Sequence, residues 1–206
     1  MQWYDKYVLP FLVHQVCRHR VIASQRQMVV PLATGNVIEI GAGSGLNLPY
    51  YNPEHVSKVT AVEPSRELWA KLDLDVSRLK FPVEYLPACA EEIPLPSGQY
   101  HTILSTFTLC TIRNIELAFA EMRRLLFPGG KLVFCDHGLS PEPPVYKWQH
   151  RINPLWKSVS GGCHLNRDIP AIITNNGFSL QQINTRYLPG WKPATYIFWG
   201  VATLKP

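Results

Sequence analysis

The sequence lacks the features of a membrane-spanning or secreted protein. It contains no run of about 18 uninterrupted apolar residues, so no transmembrane helix is predicted. Its first six residues include an acidic side chain and aromatics, where a secretory signal would have a basic and then an apolar run, and this predicts a cytoplasmic location. No internal repeat or low-complexity tract is visible. A chain of 206 residues is too short for two ordinary domains, so residues 1–206 are predicted to form one domain.

The cysteines are few, odd in number and irregularly spaced. They are Cys17, Cys89, Cys110, Cys135 and Cys163. The absence of a Cys-x-x-Cys pair predicts neither a disulfide framework nor a structural zinc site. The segments Cys135-Asp136-His137 and Cys163-His164 contain potential ligands, but their spacing matches no zinc pattern. We therefore expect no bound metal.

The positive charge of the chain is dispersed. A formal net charge of +5 allows an anionic partner or an acidic membrane surface, yet no run of Lys or Arg occurs. The nearest approach to a cluster is Arg18, Arg20 and Arg26, on a predicted N-terminal helix that also carries His14 and His19. This pattern favours a solvated helix face, with a phosphate-binding patch as the alternative.

The most informative segment is Val-Ile-Glu-Ile-Gly-Ala-Gly-Ser-Gly at residues 37–45, where a predicted strand containing Glu39 runs into three glycines. The glycines are Gly41, Gly43 and Gly45. A backbone without β-carbons lets a nucleoside lie against the main chain at the end of a parallel strand. A dinucleotide-binding turn would place its third glycine at Leu46, and a phosphate loop would need Lys and Ser or Thr after the last glycine. The pattern therefore favours an adenosine ligand without phosphates.

A second carboxylate ends the next predicted strand. Glu63 lies 22 positions after Gly41, close to the roughly 20-residue separation that one helix and one strand require. One ionised carboxyl offers acceptor oxygens to both adjacent hydroxyls of a ribose. Glu63 is therefore predicted to bind the sugar. The alternative interpretation is that the glycine turn serves packing alone and binds no nucleoside.

Short apolar strands alternate with helices along the chain, which predicts a parallel, doubly wound sheet. Five parallel strands are predicted at residues 36–41, 58–63, 83–87, 100–106 and 131–136. Segments 179–187 and 195–204 are separated by too few residues for a crossover helix, so they are predicted to pair as an antiparallel hairpin at the sheet edge. The expected fold is of the α/β class, a Rossmann-like, doubly wound, seven-stranded mixed sheet.

The helical segments are predicted from apolar spacing and capping residues. Residues 1–34 form a helical N-terminal extension whose apolar stripe, Val8, Phe11, Leu12 and Val16, is expected to pack and to cover the ligand cleft. Ser65 is predicted to cap a helix that directs Leu68, Leu72, Val76 and Leu79 to the sheet. Asn114 is predicted to cap another, with Leu117, Phe119, Met122 and Leu125 or Leu126 inward and Pro128-Gly129-Gly130 as its end. Residues 138–170 are expected to be an irregular, lid-like substrate region.

The glycine turn and the order of elements resemble the class I S-adenosylmethionine-dependent methyltransferases. Residues 86–95 resemble the adenine-binding segment of that family, with Cys89 where an acidic residue is common. The resemblance implies S-adenosyl-L-methionine as cofactor and S-adenosyl-L-homocysteine as product. The cofactor-binding residues that it implies are Glu39, Gly41, Gly43, Gly45, Asn47, Glu63, Pro64, Cys89, Ala90, Glu91 and Thr106.

Several further segments resemble the methyltransferase-like thiol S-methyltransferases and their soluble bacterial relatives. They are residues 106–111, the helix end Arg-Arg-Leu-Leu-Phe-Pro-Gly-Gly, and residues 134–137, 153–156 and 161–168. This resemblance implies a small-molecule acceptor, a thiol before other classes. The eukaryotic members carry an N-terminal membrane anchor, whereas this chain begins with a polar helix, so we expect it to be soluble. The sequence does not indicate an oligomeric state.

On the acceptor side, His137 and His164 are the predicted base or electrostatic stabiliser, and Arg167 is predicted to lower the pKa of a thiol or to pair with Asp136 or Asp168. Structural roles remain open, because His137 could bond a loop carbonyl and Arg167-Asp168 could cap a helix. Cys163 is interpreted as a buried structural thiol.

Three other functions are weighed against thiol methylation. Nucleic-acid methylation is disfavoured because residues 105–108 contain no Asn/Asp-Pro-Pro element, no cysteine follows a proline, and the length leaves no room for an RNA-binding module. A phospholipid or quinone acceptor stays open, since the basic, aromatic N-terminal helix could contact an anionic bilayer. A sensor that binds the cofactor without turnover is the non-enzymatic alternative.

Overall fold

The computed structural model describes Tyr4 and residues 8–205, so residues 1–3 and 5–7 of the predicted extension lie outside the described residues, as does residue 206. The described helices are α1 (Leu9–Cys17), α2 (Arg20–Val29), α3 (Arg66–Trp69), α4 (Ile115–Leu125), α5 (Pro143–Val159) and α6 (Ile169–Asn175). The strands are β1 (Gly35–Ile40), β2 (Val56–Val62), β3 (Val83–Leu86), β4 (Tyr100–Thr106), β5 (Leu126–His137), β6 (Phe178–Tyr187) and β7 (Tyr196–Leu204).

The seven strands form one sheet in the order β3-β2-β1-β4-β5-β7-β6. Strands β1 to β5 pair in parallel, and β7 runs antiparallel to both β5 and β6. The prediction of a doubly wound mixed sheet that ends in an antiparallel hairpin is confirmed. The strand order reverses between β1 and β4, and in such sheets ligands bind at the carboxyl ends of the strands next to this reversal.

Apolar side chains fill both faces of the sheet. Alternate residues of a strand point to opposite faces, so Ile38 and Ile40 pack on the side of α4 and α6, and Val37 packs on the side of α2. Glu39 shares the face of Val37 and is only 1% exposed. A buried carboxylate in the central strand requires hydrogen-bond partners, and these come from the loop that follows β1.

Helix α4 has the predicted cap but a different inward face. The side chain of Asn114 accepts a 3.1 Å hydrogen bond from the amide of Leu117, as predicted. The buried residues are Ala118, Phe119, Met122 and Leu125. Leu117 is 52% exposed, so its predicted burial was wrong, because a helical turn places it beside the packed stripe. The helix ends at Leu125, earlier than predicted, because β5 starts at Leu126 and includes the Pro-Gly-Gly segment.

The helix predicted after Ser65 is much shorter than expected. Ser65 accepts a 3.0 Å hydrogen bond from the amide of Leu68 and caps α3, but α3 spans only four residues. Asp75 instead caps a separate 3-10 turn by accepting from the amide of Ser77. Aspartate side chains compete with helical hydrogen bonds in this way, which explains the early end. Leu72, Val76 and Leu79 still pack against the core from this irregular segment.

The N-terminal extension is helical where it is described, but the predicted apolar stripe does not form its packed face. Phe11, Leu12 and Val16 are 50%, 43% and 62% exposed, whereas Pro10 and His14 are buried. Arg26 on α2 is only 5% exposed, so the prediction of a solvated basic face was wrong at both Arg26 and His14. Both buried residues face the carboxyl edge of the sheet.

Residues 138–170 are more regular than predicted. They contain the 17-residue helix α5, which begins with prolines at its first two positions and carries Pro154 inside it. The side-chain Nε2 of Gln149 donates 3.0 Å hydrogen bonds to the backbone carbonyls of Gly138 and Pro193. These bonds hold the helix beside β5. Prolines suit a helix start, so the proline-rich segment is a helix N-terminus and not an irregular loop. No helix in the described part of the chain is long and apolar enough to cross a membrane.

Candidate functional site

A cavity of about 510 Å³ opens at the carboxyl ends of β1, β2 and β4. Its floor is formed by the turn after β1, by the ends of the neighbouring strands and by the segment after β3. Helix α1 covers it with Leu9, Pro10, Val13 and His14, and Ser160 and Gly161 close one side. The volume lies within the usual range of small-molecule and cofactor sites.

The glycine turn lets the main chain form the cavity floor. Gly41 and Gly43 line the cavity, and Gly41 has a φ of +71°. A β-carbon at Gly41 would overlap the side chain of Thr108, so only glycine fits beneath this loop. Gly45, which was predicted to bind the ligand, does not line this cavity. A β-carbon there would lie 2.5 Å from Leu72 Cδ1, so Gly45 instead allows the segment after α3 to pack closely on the turn.

Glu63 stands at the end of β2 and lines the cavity, where it is 7% exposed. Its Oε2 accepts a 3.0 Å hydrogen bond from the amide of Gly43, and its Oε1 accepts a 2.9 Å bond from the amide of Ser65. Burial raises the pKa of this carboxyl, although the two amide hydrogen bonds oppose the rise. Each carboxylate oxygen has a second lone pair, so the oriented group can still accept hydrogen bonds from two hydroxyls of a ligand.

Glu39 lies beneath the cavity and does not line it. Its Oε1 accepts a 2.8 Å hydrogen bond from Asn47 Nδ2, and its Oε2 accepts a 2.6 Å bond from the hydroxyl of Tyr51. Burial raises the pKa of Glu39 to about 7 despite these hydrogen bonds. Asn47 Nδ2 also donates to Thr106 Oγ1 at 2.9 Å, so a buried carboxylate on β1 fixes two cavity residues from below.

Two buried polar atoms of the cavity wall have no hydrogen-bond partner among the described residues. They are Asn47 Oδ1 and Arg26 Nε. Arg26 Nη1 donates a 2.6 Å hydrogen bond to the carbonyl of Cys17, and the guanidinium lies 5.7 Å above the ring of Phe107. An unpartnered acceptor and an unpartnered cationic donor on one wall suit a ligand that carries both an ammonium and a carboxylate.

The imidazole of His14 lines the cavity, although the residue pattern indicated only that His14 lies on a helix. Its Nδ1 forms a 2.7 Å hydrogen bond with the hydroxyl of Ser44 in the glycine turn. Burial, assisted by the positive charges of Arg18 and Lys71, lowers the pKa of His14. The lowered pKa favours the neutral ring at neutral pH, and in the tautomer whose Nδ1 donates to Ser44 the Nε2 atom can accept a proton.

The segment after β3 reaches the cavity as the motif predicted. Cys89, Ala90 and Glu91 line it, and Pro64, which follows β2, lines it as well. Glu91 Oε1 accepts a 3.1 Å hydrogen bond from the amide of Asn114, which joins this segment to the start of α4. Cys89 is exposed, so the cavity is open to solvent on this side.

The three residues predicted to act on the acceptor do not line the cavity. His137 Nε2 lies 2.9 Å from Cys163 Sγ, in a buried group behind the cavity wall. Arg167 donates hydrogen bonds to the carbonyls of Leu109 and Ile112, the latter at 2.6 Å, and holds the loop between β4 and α4. Burial and the nearby Arg167 lower the pKa of His164 to about 4, so it is neutral. The geometry thus gives His137 and Arg167 supporting positions, one layer away from a ligand.

Comparison with known proteins agrees with this geometry. A family profile described as a methyltransferase domain matches residues 38–134. The chain is 28% identical over 165 residues to the thiol S-methyltransferase TMT1B of Rattus norvegicus, a match that covers 78% of this chain and 64% of that protein. It is 30% identical over 113 residues to a phosphatidylethanolamine N-methyltransferase of Cereibacter sphaeroides, covering 54% of this chain and 55% of the relative. The match to this chain thus covers somewhat under two thirds of the length of the thiol S-methyltransferase and about half of the length of the phosphatidylethanolamine N-methyltransferase.

Solved structures show the same fold. A crystal structure described as a SAM-dependent methyltransferase, possible histamine N-methyltransferase, from Thermotoga maritima superposes with a TM-score of 0.65. The two sequences are 17% identical, and the match covers 100% of this chain and 99% of the other. At this identity the likeness concerns the architecture alone.

Proposed function

Because the chain belongs to the class I S-adenosylmethionine-dependent methyltransferases, we propose that it transfers a methyl group to the sulfur of a small thiol. The proposal of a thiol acceptor rests on the position of His14. This neutral imidazole is held by a hydrogen bond to Ser44 among the apolar side chains of α1. A thiol must lose only one proton to become a strong nucleophile, and one neutral base is sufficient for this. Similarity to a thiol S-methyltransferase over 78% of the chain supports the same choice.

The cavity residues fit the cofactor S-adenosyl-L-methionine. Glu63 would hold the two ribose hydroxyls, while Asn47 Oδ1 and Arg26 would hold the ammonium and carboxylate of the amino-acid part. The segment Cys89-Ala90-Glu91 would border the adenine. The cofactor supplies an activated methyl group on a sulfonium, so binding and orientation by the protein are the main contributions to the rate.

The acceptor would react at the end of the cavity under α1. His14 Nε2 would accept the thiol proton, and the bound cofactor would supply its methyl group to the thiolate sulfur, with S-adenosyl-L-homocysteine as the product. Proximity and orientation in this cavity can supply roughly 7–11 kcal/mol of a barrier.

A lipid acceptor is the second candidate. The exposed apolar residues Phe11, Leu12 and Val16 lie on the helix that covers the cavity, where a bilayer surface could be contacted. The similarity to a phosphatidylethanolamine N-methyltransferase favours the same alternative. Salt-sensitive co-sedimentation with anionic vesicles, together with methyl transfer to their headgroups, would support the lipid acceptor.

The decisive experiment combines binding and transfer. Calorimetric titration with S-adenosylmethionine and S-adenosylhomocysteine measures cofactor binding, and a radiolabelled-methyl screen of small thiols, amines, phenols and vesicles identifies the acceptor. We expect transfer to thiols that is reduced in His14→Gln. Transfer confined to amines, phenols or lipids would refute the thiol proposal, and tight binding without transfer to any acceptor would indicate a sensor.

A further inference from the structure

A group of three side chains, one buried and two largely buried, lies behind the cavity wall and does not line the cavity. It consists of Cys110 after β4, His137 at the end of β5 and Cys163 after α5, and their sulfur and nitrogen atoms all lie within 4.8 Å of one another. The sequence separations are 26 residues between His137 and Cys163 and 53 between the two cysteines. Short-range spacing motifs therefore missed the group, which exists only in the folded chain.

We propose that Cys110, His137 and Cys163 bind one zinc ion. Two thiolates and one imidazole form a ligand set that zinc uses, and three protein ligands leave a fourth position for a small ligand such as water. This site goes beyond the proposed methyl transfer and does not depend on it.

The distances support this assignment. Two thiolates bound to one tetrahedral zinc at about 2.3 Å lie about 3.8 Å apart, and the two sulfur atoms here are separated by 3.7 Å. The imidazole nitrogen lies 2.9 Å from Cys163 Sγ, whereas shared coordination requires about 3.5 Å. Insertion of the ion therefore needs a shift of about half an ångström at His137.

The surroundings suit two metal-bound thiolates. The Trp156 ring nitrogen donates to Cys163 Sγ at 3.4 Å, and the hydroxyl of Thr111 lies 3.4 Å from Cys110 Sγ. Arg167 holds the carbonyls on both sides of Cys110 and brings a positive charge to the group. Binding of the ion would displace the thiol protons, so both sulfurs would bind as thiolates.

A zinc ion here would connect two segments that line the cavity. Cys110 directly precedes Thr111 and Ile112 in the cavity wall, and Cys163 follows the wall residues Ser160 and Gly161 after one residue. Cys163 retains 9% exposure, which gives an ion a way in. The ion would fix the acceptor end of the cavity by cross-linking the loop after β4 to the end of α5.

The test is metal binding to the full chain, reduced and freed of metal by a chelator. Zn²⁺ is titrated in competition with a chromophoric chelator, and Co²⁺ is added to a second sample to detect a thiolate-to-cobalt charge-transfer band. We expect one zinc per chain, a cobalt–thiolate band, and zinc binding at least about 100-fold weaker in Cys110→Ser and Cys163→Ser. Cys135→Ser is the matched control, since Cys135 is fully buried but lies outside the group, and it should bind as the parent does.

Metal-free thermal unfolding shows which variants are folded. If Cys110→Ser does not fold, the proposal is tested by the zinc affinity of Cys163→Ser, whose substituted side chain is less buried, and by the cobalt spectrum of the parent chain. Zinc binding by the parent that is no tighter than by Cys163→Ser would overturn the proposal. So would a reduced chain that binds no zinc but forms a Cys110–Cys163 disulfide in air. Methyl transfer is not measured, so either result leaves the proposed function intact.

Discussion

Asn47 Nδ2 donates a 2.8 Å hydrogen bond to Glu39 Oε1, so a carboxylate buried in the sheet orients an amide on the cavity wall. The same amide nitrogen bonds Thr106, which leaves Asn47 Oδ1 without a partner in the described residues. The acidic residue of the β1 motif therefore acts through Asn47 and lies one layer below the ligand.

Glu39→Gln should change the pH dependence of stability. The pKa of Glu39 is about 7 in the folded chain against an ordinary 4.5. Between these values the folded state holds a proton that the unfolded state has lost, so the free energy of unfolding falls as pH rises, by up to ~3 kcal/mol. Glutamine does not titrate and should remove this fall. Urea unfolding of both chains at pH 5 and pH 8 measures it, and equal pH dependences would show that Glu39 titrates normally.

Glu63→Ala should weaken S-adenosylmethionine binding by about 1.5–3 kcal/mol, the cost of losing a hydrogen bond to a charged group. Calorimetric titration measures the change. Glu84→Gln on β3 is the control, because its exposed carboxylate pairs with Lys58 at the surface and should leave the affinity unchanged. An unaltered dissociation constant for Glu63→Ala would mean that the ribose is held by other residues.

Arg26→Met should weaken cofactor binding by about 1.5–3 kcal/mol through loss of the contact with the carboxylate. Decarboxylated S-adenosylmethionine lacks that group, so its affinity should be nearly the same for the parent and the variant. Arg20→Met, on the exposed side of α2, is the control for loss of positive charge. Equal losses for both ligands would indicate that Arg26 supports the fold of α2 and does not contact the carboxylate.

His14→Gln should reduce kcat for a thiol by about 100-fold at pH 7, because the neutral imidazole no longer accepts the proton. The deficit should shrink as pH rises through the thiol pKa near ~8.5, where the acceptor ionises unaided. In the parent chain the lowered pKa of His14 keeps it deprotonated, so activity should persist below pH 6.5. Initial rates from pH 5.5 to 9.5 test both points. A deficit that is constant with pH would assign His14 a binding role.

The amino-acid sequence by itself determined the sheet and the cofactor turn. The short apolar segments of β1 and β4, the glycines after Ile40 and the carboxylate at Glu63 are local patterns, and local backbone requirements impose them. The caps at Ser65 and Asn114 followed for the same reason, since each satisfies amides within three residues. Helix length was less predictable, because the aspartates after Trp69 compete with the helix from outside it.

Only the tertiary structure decided which side chains surround the cavity. The spacing of α1 and α2 defines their faces but does not say which face packs on the sheet, so His14 and Arg26 were expected in solvent and are buried. The meeting of Cys110, His137 and Cys163 depends on the end of β5 and on the segments after β4 and α5, which the fold brings together at one end of the sheet. Such contacts form between residues far apart in the chain, and the spacing of residues along a sequence carries no record of them.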